Sequence, residues 1–216
     1  MRGLLLTNYY LVYRTFFVFM GVAILGSGLV FYFGDTSMYG LIAMFTIFFA
    51  AIPALEVIKY ESKSGYDKYV LTLPVTRSNI VQSHYFFYFL VVIIGTLLSY
   101  GIFYVHGLVS DTPIDDGIFK SISSGTFIIL NAGAIAYPLL YIFGAEKSDA
   151  ITIGGAFGGL FAYFGLQSVI GYLIKQFPLP HLSQSLYVSI SYTIFGVIIY
   201  ILSFFISVFI YKNKEF

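Results

Sequence analysis

The chain has 216 residues, 59% of them hydrophobic and 20% aromatic but only 10% charged, and its mean hydropathy is +0.89. A soluble domain carries about 25% charged residues, so water could not solvate this surface, and disorder needs low hydrophobicity with high net charge. A formal net charge of +1 gives no argument for nucleic acid as a partner, and the absence of cysteine removes disulfides, thiolate nucleophiles and iron–sulfur ligands. The composition is that of an integral membrane protein.

In hydrocarbon every backbone polar group must be satisfied internally, which leaves helices or a closed barrel. A barrel needs many strands of about ten residues alternating apolar and polar. Here the apolar runs are unbroken and of the length, about 20 residues, that a helix needs to cross a bilayer, so the class is all-α. Charged residues set the limits, since a charge at mid-bilayer costs at least about 2.5–3.5 kcal/mol. They predict six spans, near Thr15–Phe33, Met38–Val57, Tyr85–Val105, Ser121–Phe143, Ala150–Ile174 and Leu186–Tyr211. A loop with Asp111, Pro113, Asp115 and Asp116 separates spans three and four, and Lys175, Pro178, Pro180 and His181 separate spans five and six.

With both termini on one side, that side collects Arg2, Arg14, Lys59, Lys63, Lys68, Arg77, Lys147, Lys212 and Lys214, and the other only Lys120 and Lys175. The positive-inside rule then puts both termini in the cytoplasm. The first apolar run is long enough to span and has no small-residue cleavage site, so no cleaved signal peptide is expected. Without tryptophan, the interfacial belt falls to tyrosines at span ends: Tyr9, Tyr10, Tyr13, Tyr60, Tyr104, Tyr187 and Tyr211.

Catalytic signatures are absent. There is no phosphate loop and no dinucleotide fingerprint. His84, His106 and His181 lie far apart with no metal spacing, and read as solvated or interfacial side chains. Asp115 and Asp116 are adjacent carboxylates in a loop, without the distinct environments that acid–base chemistry needs. No charge falls well inside a span, and Glu56, at the inner end of the second, is expected to reach cytoplasmic water. The chain is therefore not expected to be an enzyme or a proton-coupled pump, and it needs no cofactor or metal of its own.

Residues 56–85 are the most informative stretch. Ser64 and Asp67 have capping-box spacing, Tyr66, Tyr69, Val70 and Leu73 share one helical face, and Pro74 stops the helix. This predicts a short amphipathic helix, Gly65–Leu73, after which Thr76 or Ser78 caps the third span. Such a helix either lies in the headgroup layer or docks its aromatic face into a soluble partner.

Six spans with both ends inside, an amphipathic N-terminal segment, and Glu61 followed by Leu73–Pro74–Val75–Thr76–Arg77 before the third span resemble the permease subunit of type-2 ATP-binding-cassette exporters. Small bacterial permeases that export amphipathic toxin peptides, the phenol-soluble-modulin exporters, are the most similar in size and style. The resemblance implies a dimer of permeases in a bacterial cell membrane, driven by separate ATPase subunits that hold ATP and Mg²⁺. Under it, Gly65–Leu73 is the coupling helix, with Tyr66, Tyr69, Val70 and Leu73 facing the ATPase. Glu146, in the Glu146–Asp149 turn, marks a second contact, and Met1–Tyr13 is a connecting helix on the inner leaflet. The modest 107–120 outer loop departs from larger members and speaks against an extracellular substrate-handling domain. The alternative without a motor is a membrane channel or structural membrane protein.

Gly154, Gly155, Gly158 and Gly159 make two overlapping small-residue pairs in the fifth span, suited to close packing within the subunit, or else to a dimer seam or bending point. Pro53 and Pro138 bend spans two and four. Asn131, Gln167 and Ser168 are the mid-span polar side chains and the candidates for lining a pathway.

Overall fold

The computed structural model describes residues 2–34, 38–110, 116–176 and 183–214. Asp35, the 111–115 loop with Asp111, Pro113 and Asp115, and the connection with Pro178, Pro180 and His181 lie outside the described residues. Among the described residues every regular element is helical: α1 (Arg2–Phe33), α2 (Tyr39–Leu55), α3 (Val57–Ser64), α4 (Tyr66–Tyr69), α5 (Arg77–Ser110), α6 (Asp116–Phe143), α7 (Ser148–Gln176) and α8 (Gln184–Lys212), with single 3₁₀ turns at Val70–Thr72 and Ala145–Lys147. Among the described residues six helical stretches are long and apolar enough to cross a membrane, the second of them joining α2 and α3.

α1 corrects the expectation of a separate connecting helix at Met1–Tyr13. It runs unbroken from Arg2, about 48 Å at 1.5 Å per residue, because neither proline nor a stop signal interrupts the ladder between Tyr13 and Thr15. Leu4, Asn8 and Val12, spaced four apart, form a buried stripe, and Asn8 Nδ2 donates to Ser83 Oγ of α5 at 3.5 Å. The start of α1 therefore sits beside the start of α5. At the opposite end Phe31 stacks on His106 of α5, with ring centroids 4.0 Å apart. This alternation brings the start of α1, the α2–α5 connection, the α6–α7 turn and the end of α8 to one end of the bundle, the end that the Lys/Arg bias marks as cytoplasmic.

α6 is the central element, packed most extensively on α8 and α7 and also on α2. Close approach follows from small residues. A Cβ on Gly159 would lie 2.4 Å from the Ile128 carbonyl oxygen, and one on Gly155 would lie 2.8 Å from that of Ala132. On the other flank the ring of Tyr88 rests on Gly133, where a Cβ would come within 2.4 Å of it.

The interior is notably rich in tyrosine. Tyr88, Tyr137 and Tyr192 are fully buried. Apart from Tyr192, each of these hydroxyls finds a backbone carbonyl: Tyr88 donates to Ile129 O at 2.6 Å and Tyr137 to Ala54 O at 3.1 Å, where α2 gives way to α3. Pro138 lacks the N–H that would have bonded the Ala134 carbonyl. Ser203 Oγ of α8 donates to that oxygen instead, at 2.5 Å. The proline thus ties α6 to α8.

Candidate functional site

The cytoplasmic connection between α2 and α5 is not a single coupling helix over Gly65–Leu73. The charged stretch after Glu56 is itself helical, forming α3. Gly65 ends it in the left-handed conformation, φ 73°, with its N–H on the carbonyls of Glu61 and Ser62, an arrangement that favours glycine. The capping box does not form, because Ser64 Oγ donates back to Glu61 O and Asp67 Oδ1 accepts from the adjacent Lys68 N–H. α4 is a single turn, extended by the 3₁₀ turn and stopped at Leu73, whose ψ of 154° is the extended backbone that a following proline demands. Thr76 Oγ1 then accepts from Asn79 N at 3.3 Å and caps α5.

A cavity of about 370 Å³ is walled by α3, α4 and the turn after it, the start of α5, the turn before α7, and the ends of α6 and α8. At its floor Glu61, 5% exposed, sets Oε2 3.0 Å from Nε2 of His84, which is 2% exposed. The contact lacks the alignment of a hydrogen bond, and His84 Nδ1 makes a hydrogen bond with the Tyr141 hydroxyl at 2.8 Å. His84 is therefore not a solvated interfacial residue. Helical spacing carried a signal: Glu61 lies one turn after Val57, which is fully buried, and His84 lies between the buried Ile80 and Tyr88. Tyr211, expected in the interfacial belt, is also buried and packs its ring at a tilt against Tyr141.

Cations close the surrounding helix ends. Lys214 Nζ donates to Tyr141 O at 2.8 Å, and Arg77 donates to the carbonyls of Lys212 and Lys214 at 2.9 and 2.8 Å. Positive charge at a helix C-terminus offsets the partial negative charge of its unpaired carbonyls. Lys59 of α3 pairs with Asp149 at the start of α7, so the hinge and the second cytoplasmic turn are tied together.

The residues expected to dock a partner separate by burial. Tyr69 is 58% exposed and Glu146 is exposed, Tyr66 and Leu73 are half-buried, and Val70, at 1% exposure, is packed inside the bundle. Val70 anchors the segment and cannot present its side chain to a partner. The pathway candidates do not converge: Asn131 is buried and its amide donates to Phe127 O of its own helix, while Gln167 and Ser168 lie on the exposed face of α7. Gly155, Gly158 and Gly159 face α6, whereas Gly154 has open space beside it. Among the described residues no group of His, Asp and Glu could hold a metal ion.

Six apolar helical stretches among the described residues, packed around α6, define a multi-pass membrane protein. Residues 3–212 match the family described as ABC-2 family transporter protein, and the chain belongs to that family. As an ABC-2 permease it is the membrane component of an ABC transporter and not itself catalytic, and membership implies partnership with ABC ATPase subunits. No curated protein and no solved structure gives a significant match.

Proposed function

We propose that this chain is the permease subunit of a bacterial exporter that moves amphipathic or hydrophobic cargo, amphipathic toxin peptides being the class its resemblance suggests, out of the cell. Two permeases form the membrane unit, and the ATPase subunits bind ATP and Mg²⁺. The α4 turn and the Ala145–Lys147 turn together form the ATPase contact, with Tyr69 and Glu146 as its exposed side chains and Tyr66 and Leu73 as its apolar margin. The observation that carries this reading is the contrast along one short helix. Tyr69 projects from the bundle while the next residue, Val70, is buried within it. A surface helix dissolved in lipid needs no such anchor, whereas a part that must transmit force does.

The test is co-purification in detergent with the ATPase. Tyr69→Asp removes an aromatic anchor of the kind that typically carries about 2 kcal/mol at an interface, so recovery of the ATPase should fall roughly thirtyfold while the permease still elutes as one species. Undiminished recovery with Tyr69→Asp combined with Glu146→Lys excludes docking at this surface. Failure of the native chain to bind any ABC ATPase would favour the channel reading.

A further inference from the structure

Asn131 and Ser168 satisfy themselves on their own helices, donating to Phe127 O and Phe164 O. Gln167 does not: it is exposed on α7, and among the described residues its amide has no hydrogen-bond partner. Its depth makes this costly. Asp149 and Lys175 limit the fifth span, so the centre falls at Ala162, and Gln167 sits about 7 Å beyond it at 1.5 Å per residue. Hydrocarbon extends about 15 Å on either side of the centre, which leaves the headgroups about another 7 Å away. A helical side chain leans towards the N-terminus of its helix, here back towards the centre, so the amide does not rise to the headgroups. Lipid tails offer it neither donor nor acceptor, and a polar group at this depth needs protein beside it.

The surrounding residues have the form of a helix–helix seam. Ile153, Phe157, Leu160, Phe164, Gln167 and Gly171 recur at alternating intervals of four and three, the spacing at which two helices interlock. Ile153, Phe157 and Phe164 are exposed and Leu160 is half-buried, while Gly155 and Gly159 turn the opposite face of α7 to α6. Gly171 has nothing within 4 Å of its virtual Cβ, which leaves room for a second backbone one turn from Gln167.

We propose that Gln167 is the polar key of an α7–α7 seam between two copies of this chain, each amide donating its Nε2–H to the Oε1 of the other. An amide carries donor and acceptor together, so two of them related by a two-fold axis satisfy one another. Copies inserted with the same orientation hold every residue at the same depth. A two-fold axis along the membrane normal therefore sets Gln167 against its own counterpart, and one polar position in an apolar seam fixes the register of the pair. The seam supplies the contact between the paired permeases of the reading above and rests on that reading for its second copy.

The chain contains no cysteine, so a single introduced thiol reports alone. In native membranes treated with copper phenanthroline, Phe164→Cys should yield about tenfold more disulfide-linked dimer than Val169→Cys, because a disulfide forms only where the two Cβ atoms lie close together. Val169 is also exposed, but it lies two residues from both Gln167 and Gly171 and so faces away from the seam. No linked dimer at Phe164, or equal linking at Val169, means that lipid or another protein covers this face and overturns the seam. In a second arm, chains tagged at the C-terminus with donor or acceptor fluorescent proteins are diluted into phosphatidylcholine liposomes, and energy transfer reads their pairing. Gln167→Leu keeps the apolar packing but removes the amide, and should weaken pairing about tenfold; Gln167→Asn keeps the amide and should recover most of it. No deficit in Gln167→Leu, or a deficit as large in Gln167→Asn, overturns the amide pair. Neither arm contains an ATPase. Linking at Phe164 in a chain that recruits no ABC ATPase keeps the seam and fails the permease reading, whereas ATPase recruitment without linking fails the seam alone.

Discussion

The four glycines of α7 make a graded test of how α6 and α7 pack. In an exposed helix position Gly→Ala is worth about 1 kcal/mol in favour of alanine. Gly154 has nothing within 4 Å of its virtual Cβ, so Gly154→Ala should keep that gain. At Gly158 the new methyl would meet only the terminal Cδ1 of Ile135, at 2.5 Å, and that flexible end can rotate away, which leaves the change near neutral. At Gly159 the obstacle is backbone, the Ile128 carbonyl oxygen at 2.4 Å, against an ordinary contact of 3.4 Å or more. The helices must separate by about 1 Å, and a gap of that size forfeits a quarter to a half of each contact along the crossing. Overpacking of this kind costs about 1–3 kcal/mol, so Gly159→Ala should fall roughly 2 kcal/mol below Gly154→Ala, with Gly155→Ala close behind it. Unfolding of the purified chain by titrating SDS into mixed micelles, followed by circular dichroism, measures the order. Equal stability of Gly154→Ala and Gly159→Ala would refute the close α6–α7 approach.

Ser203→Ala should lower stability by about 1–3 kcal/mol, since it leaves the Ala134 carbonyl freed by Pro138 without a donor in the membrane interior, while Ser168→Ala, on an exposed face, should change little; the same SDS titration compares them. Val70→Asp should destabilise the chain by several kcal/mol through an unpaired buried carboxylate, whereas Tyr69→Asp should leave its melting behaviour unchanged and affect only partner binding. Gly65→Ala should cost about 1 kcal/mol for its left-handed backbone and reduce ATPase recovery by reorienting α4, and Gly65→Asn should recover most of both, as read from thermal melts and co-purification.

Span number and the location of the cytoplasmic segment were legible because both follow from properties that a window of sequence contains: run length, and the charges that end a run. The hinge was legible only in part. Pro74 and the apolar positions 66, 69, 70 and 73 mark a helical face, but the same pattern cannot say which of those positions points into the bundle. Val70 and Tyr69 were indistinguishable until tertiary packing separated them. Gly65 offered a second reading that the Ser64–Asp67 spacing obscured: glycine after a charged helical stretch ends that helix more readily than the spacing starts the next. The interior tyrosines were hidden for another reason. Tyrosine without tryptophan suggests an interfacial belt, yet a buried phenol is satisfied wherever packing brings it to a backbone carbonyl of a neighbouring helix, as Tyr88 meets Ile129 O and Tyr137 meets Ala54 O. Those acceptors cannot be read from the sequence; only the carbonyl below Pro138, taken by Ser203, can. Glu61 and His84 carry helical spacing that places both on buried faces, but nothing local pairs them.

The distribution of packing says where movement is affordable. α6 is held by backbone-to-backbone approach at Gly155 and Gly159, by Tyr88 resting on Gly133, and by the Ser203 bond beneath Pro138. Each has a single good arrangement, so the centre of the bundle resists deformation. At the cytoplasmic end the contacts are of another kind. They consist of cations on helix-end carbonyls, the Lys59–Asp149 pair and the buried Glu61–His84 pair, arranged around a cavity and a glycine in the left-handed region. Charged contacts of this sort can exchange partners at small net cost where water or an alternative group is at hand, whereas close-packed methyls and carbonyls cannot. A push on α4 is therefore absorbed first between α3 and α5. The close-packed centre around α6, by contrast, is expected to move as one body.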